Sequence, residues 1–256
     1  MKQIPNIFTL LNLVAGVIAI IFALQTDAVF LSQNEDLITS FNIPEKLTWA
    51  SVCILIAAGI DFLDGFVARL LNATSELGKQ LDSLSDVVSF GVAPSVIMYQ
   101  LLRMSYATQP DGLYISIVYL LPAVLLACAG AYRLGRFNIA TDQQYSFRGV
   151  PIPAAGLFVA SLPLILHFSN NSALNQFIIN KWVLYGVVLV LSYLMISNLR
   201  MIALKFSGKV GKEGKWLIAL AVIAIVSAVF LQWLAIPVVF IFYVIFSILN
   251  SKSNHQ

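Results

Sequence analysis

Long apolar runs follow one another along the chain, separated by short polar stretches, and this alternation predicts eight helical membrane spans. They are expected at about 5–25, 47–71, 79–102, 113–138, 151–168, 181–204, 215–232 and 235–250. Pro237 falls near the start of the last run, where a fixed φ and a missing N–H suit a first helical turn. The polar connections are short, and no internal repeat or low-complexity segment interrupts them. The expected fold class is therefore all-α: one polytopic transmembrane bundle over residues 1–256, with no separate soluble domain.

Composition sharpens this picture. The chain is 59% hydrophobic and 11% charged, whereas soluble domains carry about 25% charged residues. A net charge of +3, with no basic tract interleaved with aromatics, argues against nucleic acid as a partner. Lys2 precedes an apolar stretch of about 20 residues with no small-x-small cleavage site after it, so a retained helix is expected rather than a signal peptide. Cys53 and Cys128 sit within apolar runs and read as small hydrophobes, not as a disulfide.

Basic residues divide unequally between the two sides of the predicted bundle. Lys2, Arg69, Lys79, Arg133, Arg136, Arg148, Arg200, Lys205, Lys209, Lys212, Lys215 and Lys252 fall on one side, and only Lys46, Arg103 and Lys181 on the other. Cytoplasmic loops collect Lys and Arg, so the richer side is expected in the cytoplasm of the inner (cell) membrane, together with both termini. The run Lys205, Lys209, Lys212 and Lys215 is expected to meet anionic membrane lipids.

One polar stretch stands apart. Residues 61–86 read DFLDGFVARLLNATSELGKQLDSLSD and hold Asp61, Asp64, Asp82 and Asp86 between strongly apolar flanks. Ionisable groups at membrane depth are costly and mark functional sites. At about 100° per residue, Asp61, Asp64, Gly65, Ala68 and Arg69 share one helix face of about 140°, opposite Phe62, Leu63, Phe66, Val67 and Leu70. Gly78, Asp82 and Asp86 form a second stripe at i, i+4, i+8. Two consecutive helices thus aim two carboxylates each into the gap between them, with small residues leaving room for a ligand. Four such carboxylates repel one another unless cations intervene. Oxygen ligands without His or Cys favour Mg²⁺ or Mn²⁺, and two such ions can hold phosphates for an in-line displacement, with Arg69 as a further phosphate contact.

The pattern Asp61-x2-Asp64-Gly65-x2-Ala68-Arg69-x8-Gly78-x3-Asp82-x3-Asp86 resembles the signature of the CDP-alcohol phosphatidyltransferase family at every fixed position. The resemblance implies transfer of a phosphatidyl or similar group from a CDP-linked lipid to an alcohol, with release of CMP. It implies that Asp61, Asp64 and Asp82 ligate two divalent cations. The resemblance also implies that Asp86 lies at the metals and acts as general base. By the same resemblance Asp61, Gly65, Ala68, Arg69 and Gly78 border the CDP moiety, and the enzyme is a homodimer.

The acceptor is expected to be chosen by residues 132–154, YRLGRFNIATDQQYSFRGVPIPA. Arg133 and Arg136 are i, i+3 neighbours that can meet one anion together, and Asn138 follows them. Arg148 precedes Pro151 and Pro153, whose fixed φ angles stiffen the entry to the next helix. These residues are acceptor or phosphate candidates, or else ordinary positive-inside anchors. The RLGRFN and FRGVPIPA runs, with PNIFTLLNL near the N-terminus and SYLMISNLR in the sixth span, resemble the serine-accepting branch of the family. That resemblance covers most of residues 4–206, the expected catalytic core, and leaves the last two helices (about 215–250) matched in hydropathy only. It implies CDP-diacylglycerol and L-serine as substrates. Glycerol 3-phosphate, inositol phosphate or choline are the alternative acceptors. A cation transporter or channel is the rival class, disfavoured because the carboxylates gather at one site near one membrane face. Asn6, Thr9 and Asn12 share a face of the first helix that can reach the nucleotide pocket or serve interhelical hydrogen bonding, and Ser192, Ser197 and Asn198 carry the same two readings.

Overall fold

A computed structural model describes residues 4–25, 44–70, 75–107, 115–139, 148–202 and 212–253. The side chains of Ala68 and Arg69, and those of Lys2, Lys205, Lys209, Lys212 and Lys252, lie outside the described part. Every element described is helical: α1 (Ile4–Leu24), α2 (Glu45–Leu70), α3 (Glu76–Asp86), α4 (Ala93–Ala107), α5 (Leu125–Ile139), α6 (Ile152–Phe168), α7 (Ser172–Ile179), α8 (Lys181–Ile196), α9 (Lys212–Leu231) and α10 (Ala235–Ser253). Among the described residues, four stretches are long and apolar enough to cross a membrane: Pro5–Leu24, Glu45–Val67, Glu76–Ala107 and Gly214–Ser251. The pair α7 and α8, bent by 61° at its junction, would make a fifth. The last stretch folds back on itself, since the rings of Trp216 and Phe246 lie 5.0 Å apart. The chain is a membrane protein. Its outward side chains agree, with Ile7, Phe62, Phe66, Leu70, Val229 and Phe230 all more than half exposed on helix faces that water would not tolerate.

The third predicted span is one continuous helical run with a change of winding in the middle. Ser75 caps its start by accepting a 3.0 Å hydrogen bond from the Gly78 amide, so the helix begins earlier than hydropathy alone suggests. Residues Val87–Val92 adopt a π turn directly after Asp86, and the Ala93 amide reaches back to the Val88 carbonyl. Pro94 accounts for the widened turn: it lacks an N–H and its ring would crowd the carbonyl four residues earlier. Further along the same run Ile97, Met98, Leu101 and Leu102 are fully buried, which makes α4 the core of the bundle.

The predicted fourth span differs at its start. Short 3₁₀ turns at Ile117–Tyr119 and Leu121–Val124 precede α5, with Pro122 at the first positions of the second turn. The sixth span ends at Ile196, not near 204, because residues 197–200 leave the helix to pair with residues 148–150. Gly149 makes that pairing possible. Its φ is +74°, and a Cβ there would collide with the Met195 carbonyl oxygen. The short helix α7 was not expected. Cys53 and Cys128 are free.

Candidate active site

The helix faces predicted for α2 and α3 meet as expected. Asp61, Asp64 and Asp82 each bring one carboxylate oxygen within 4.8 Å of the others. Asp64 and Asp86 are buried, at 7% and 8% exposure, whereas Phe62, Leu63, Phe66 and Leu70 on the opposite face of α2 point outward. The carboxyl groups of Asp61 and Asp86 face each other across the two helices.

Small residues and serines bring α1 against this pair. A Cβ at Gly16 would collide with Ser89, so glycine lets α1 and the π turn close together. Ser85 Oγ donates to the Thr9 carbonyl and Ser89 Oγ to the Asn12 carbonyl, each at 3.0 Å. Thr9 Oγ1 in turn donates to Asp64 Oδ2 at 3.0 Å. A cavity of about 460 Å³ opens beside the carboxylates, lined by Asn6, Thr9, Asp64, Gly65, Gly78, Lys79 and Asp82 among others. A Cβ on Gly65 would meet no protein atom, while one on Gly78 would come within 2.8 Å of Asn6 Oδ1. Asn6 and Thr9 therefore reach the cavity. Asn12 is fully buried, and its side-chain amide has no hydrogen-bond partner among the described residues.

The donor set fits divalent metal. Among the described residues it consists of carboxylate oxygens alone, and Asp86 Oδ1 is buried without a hydrogen-bond partner among them. A buried carboxylate left so carries a desolvation penalty that a cation would offset. Hard cations with oxygen ligands suit such a site.

The arginine candidates are distributed differently from the sequence expectation. Arg133 and Arg136, both on α5, do not converge on one point. Arg133 is half-buried, with Asp86 and Tyr243 as its electrostatic neighbours. Arg136 donates to the Ile196 carbonyl at 3.0 Å and to Asn198 Oδ1 at 2.8 Å. Asn138 Nδ2 donates to Ser83 Oγ at 2.9 Å, next to Asp82. Arg148 is half-buried, and its backbone pairs antiparallel with that of Arg200. Ser197 Oγ donates to the Leu194 carbonyl at 2.8 Å, and Ser192 is buried. Sequence reasoning did not single out Ser83, Ser85, Tyr243 or Ser247. The serines spaced through the Asp-rich stretch were a usable signal, as was the Tyr243/Ser247 pair at i, i+4 in an otherwise apolar helix.

An all-helical membrane protein with a carboxylate-walled polar cavity at one end of its bundle is the class that this fold and site define. Residues 2–186 match the sequence model of the CDP-alcohol phosphatidyltransferase family. The chain belongs to that family. It is 35% identical over 201 residues to the CDP-diacylglycerol–serine O-phosphatidyltransferase of Helicobacter pylori (strain J99 / ATCC 700824), covering 77% of this chain and 70% of the relative. The protein of the same name from Bacillus subtilis (strain 168) is 31% identical over 206 residues, 78% of this chain and 90% of the relative. An archaetidylserine synthase from Methanothermobacter thermautotrophicus (strain ATCC 29096 / DSM 1053 / JCM 10044 / NBRC 100330 / Delta H) is 33% identical over 172 residues, 66% of this chain and 61% of the relative.

Proposed function

We propose that this chain is a CDP-diacylglycerol–serine O-phosphatidyltransferase, moving a phosphatidyl group from CDP-diacylglycerol to the hydroxyl of L-serine and releasing CMP. The observation that carries the reading is the meeting of Asp61, Asp64 and Asp82 within 4.8 Å at a polar cavity, beside buried Asp86. Family membership supports the CDP-lipid donor, and the names of the relatives support serine.

In this reading Asp61, Asp64, Asp82 and Asp86 hold two Mg²⁺ or Mn²⁺ ions. Bound there, the ions would neutralise the pyrophosphate oxygens and stabilise the departing CMP. The protein supplies the remainder. Gly65 and Gly78 leave the cavity open for the cytidine and ribose. Thr9 holds Asp64 in place through its 3.0 Å hydrogen bond. Asp86 takes the proton from the serine hydroxyl as that oxygen bonds to the phosphatidyl phosphorus and the bond from phosphorus to the CMP oxygen breaks. No Cys or His stands among the four aspartates, which favours direct attack over a covalent phosphatidyl-enzyme. Arg133, an electrostatic neighbour of Asp86, is the arginine assigned to the serine carboxylate.

The topology goes with this chemistry. The reading takes the chain to span the membrane eight times, with the site and both termini on the cytoplasmic side of the inner (cell) membrane, as the bias of basic residues in the sequence supports. The enzyme works as a homodimer. The test is CMP release by the purified protein from CDP-diacylglycerol with each alcohol in turn. Serine is expected to drive release, and turnover with glycerol 3-phosphate, inositol phosphate or choline instead would overturn the acceptor assignment.

A further inference from the structure

The α9–α10 hairpin lies beyond residues 2–186, the part that the family match covers. One face of α10 nevertheless reaches the arginine side of the site. Tyr243 and Ser247 are its buried hydroxyl pair, at 6% and 0% exposure. The Tyr243 hydroxyl donates to the Ile202 carbonyl at 3.2 Å, and Ser247 Oγ accepts from the Ile202 amide at 3.2 Å. Ser247 Oγ also donates to the Tyr243 backbone carbonyl at 2.7 Å, which fixes the orientation of the serine hydroxyl.

Ile202 lies in the non-helical stretch that leaves α8. Exposed polar backbone of this kind is tolerated in a membrane only where protein groups satisfy it. The same stretch carries the groups that hold the arginine segment. The Ile196 carbonyl and Asn198 accept from Arg136, and the Leu199 carbonyl accepts from the Gly149 amide at 2.9 Å. The Leu194 carbonyl, one turn earlier, accepts from the Val150 amide at 3.1 Å. Residues 194–202 thus join α10 on one side to Arg136 and residues 148–150 on the other. Tyr243 is also an electrostatic neighbour of Arg133.

We propose that Tyr243 and Ser247 are positioning residues for the acceptor half of the reaction: by clamping Ile202 they set residues 194–202, which hold Arg136 and residues 148–150, and so keep α5 in place for Arg133 to meet the acceptor carboxylate. The assignment rests on the serine-transfer reading above. A plain packing role for α10 would weaken the whole protein evenly. A positioning role acts on one substrate.

The test uses the purified full-length protein, varying serine and CDP-diacylglycerol separately. Tyr243→Phe and Ser247→Ala are each expected to raise the KM for serine about tenfold while the KM for CDP-diacylglycerol stays within about twofold, with Ser247→Thr restoring the wild-type value. Hydrogen exchange supplies a readout that does not depend on the acceptor. The Ile202 amide is expected to exchange about tenfold faster in Ser247→Ala than in wild type. Unchanged exchange at Ile202, or KM values for both substrates rising in parallel, would overturn the proposal. If Tyr243→Phe fails to fold, the Ser247→Ala and Ser247→Thr pair decides it. Wild-type protein that releases no CMP with serine would overturn the acceptor assignment instead, and the exchange measurement would still judge the clamp.

Discussion

Thr9 on α1 donates its hydroxyl to Asp64 on α2 at 3.0 Å, so the first helix of the bundle orients a carboxylate of the acidic cluster. The same hydroxyl lies 3.2 Å from the Pro5 carbonyl of its own helix, which restricts its rotation. Groups that orient metal ligands commonly matter by about 10–100-fold in metal affinity or activity. Thr9→Val is expected to raise the Mg²⁺ or Mn²⁺ concentration needed for half-maximal CMP release by about tenfold, and Thr9→Ser to leave it near wild type. A metal titration of both variants checks this.

Gly65 separates stability from activity. A side chain there would meet no protein atom, and glycine within a helix costs about 0.5–1 kcal/mol relative to alanine. Gly65→Ala is therefore expected to leave thermal stability unchanged or slightly raised. Gly65→Leu would fill the space beside Asp64 and is expected to raise the KM for CDP-diacylglycerol by about tenfold or more. A variant with wild-type KM would show that the nucleotide does not use this space.

Gly149 is expected to behave in the opposite way. With φ at +74° and the Met195 carbonyl in the way of a Cβ, Gly149→Ala must both strain the backbone and displace residues 195–197. A destabilisation of at least about 1–3 kcal/mol is expected, read as a lowered unfolding midpoint in detergent. Ser197→Ala removes only a local hydrogen bond to the Leu194 carbonyl and serves as the mild comparison.

Asp86 is buried and has one oxygen without a hydrogen-bond partner. Asp86→Asn keeps the shape but removes both the negative charge and the proton-accepting capacity. General bases contribute about 10²–10⁴-fold, so kcat is expected to fall by at least about a hundredfold. Near-normal turnover would remove Asp86 from the role of base.

Helical phase makes the acidic cluster legible in the sequence. Asp61 and Asp64 on one helix, with Asp82 and Asp86 on the next, are local patterns with a fixed angular meaning. The outward position of Phe62, Phe66 and Leu70 follows from the same phase. The arginines were less legible, since their partners lie far along the chain. Nothing near Arg136 announces Asn198, which it reaches across sixty-two positions. The end of α8 was equally hidden, because an apolar run through residue 204 reads as helix while the pairing with Gly149 and Val150 draws the backbone out of it. The π turn before Pro94 had a local cue in the proline, but its consequence depends on packing against α5 and α6, where Gly91 and Gly156 admit close approach.

Metal dependence is the most direct test of a carboxylate centre for phosphatidyl transfer. CMP release from CDP-diacylglycerol and serine would be followed before EDTA, after EDTA, and after re-addition of Mg²⁺ or Mn²⁺, in wild type and in Asp82→Asn. The expected result is loss of turnover on chelation, recovery in wild type on re-addition, and no recovery in Asp82→Asn. Turnover that persists in EDTA, or full recovery in the variant, would contradict it.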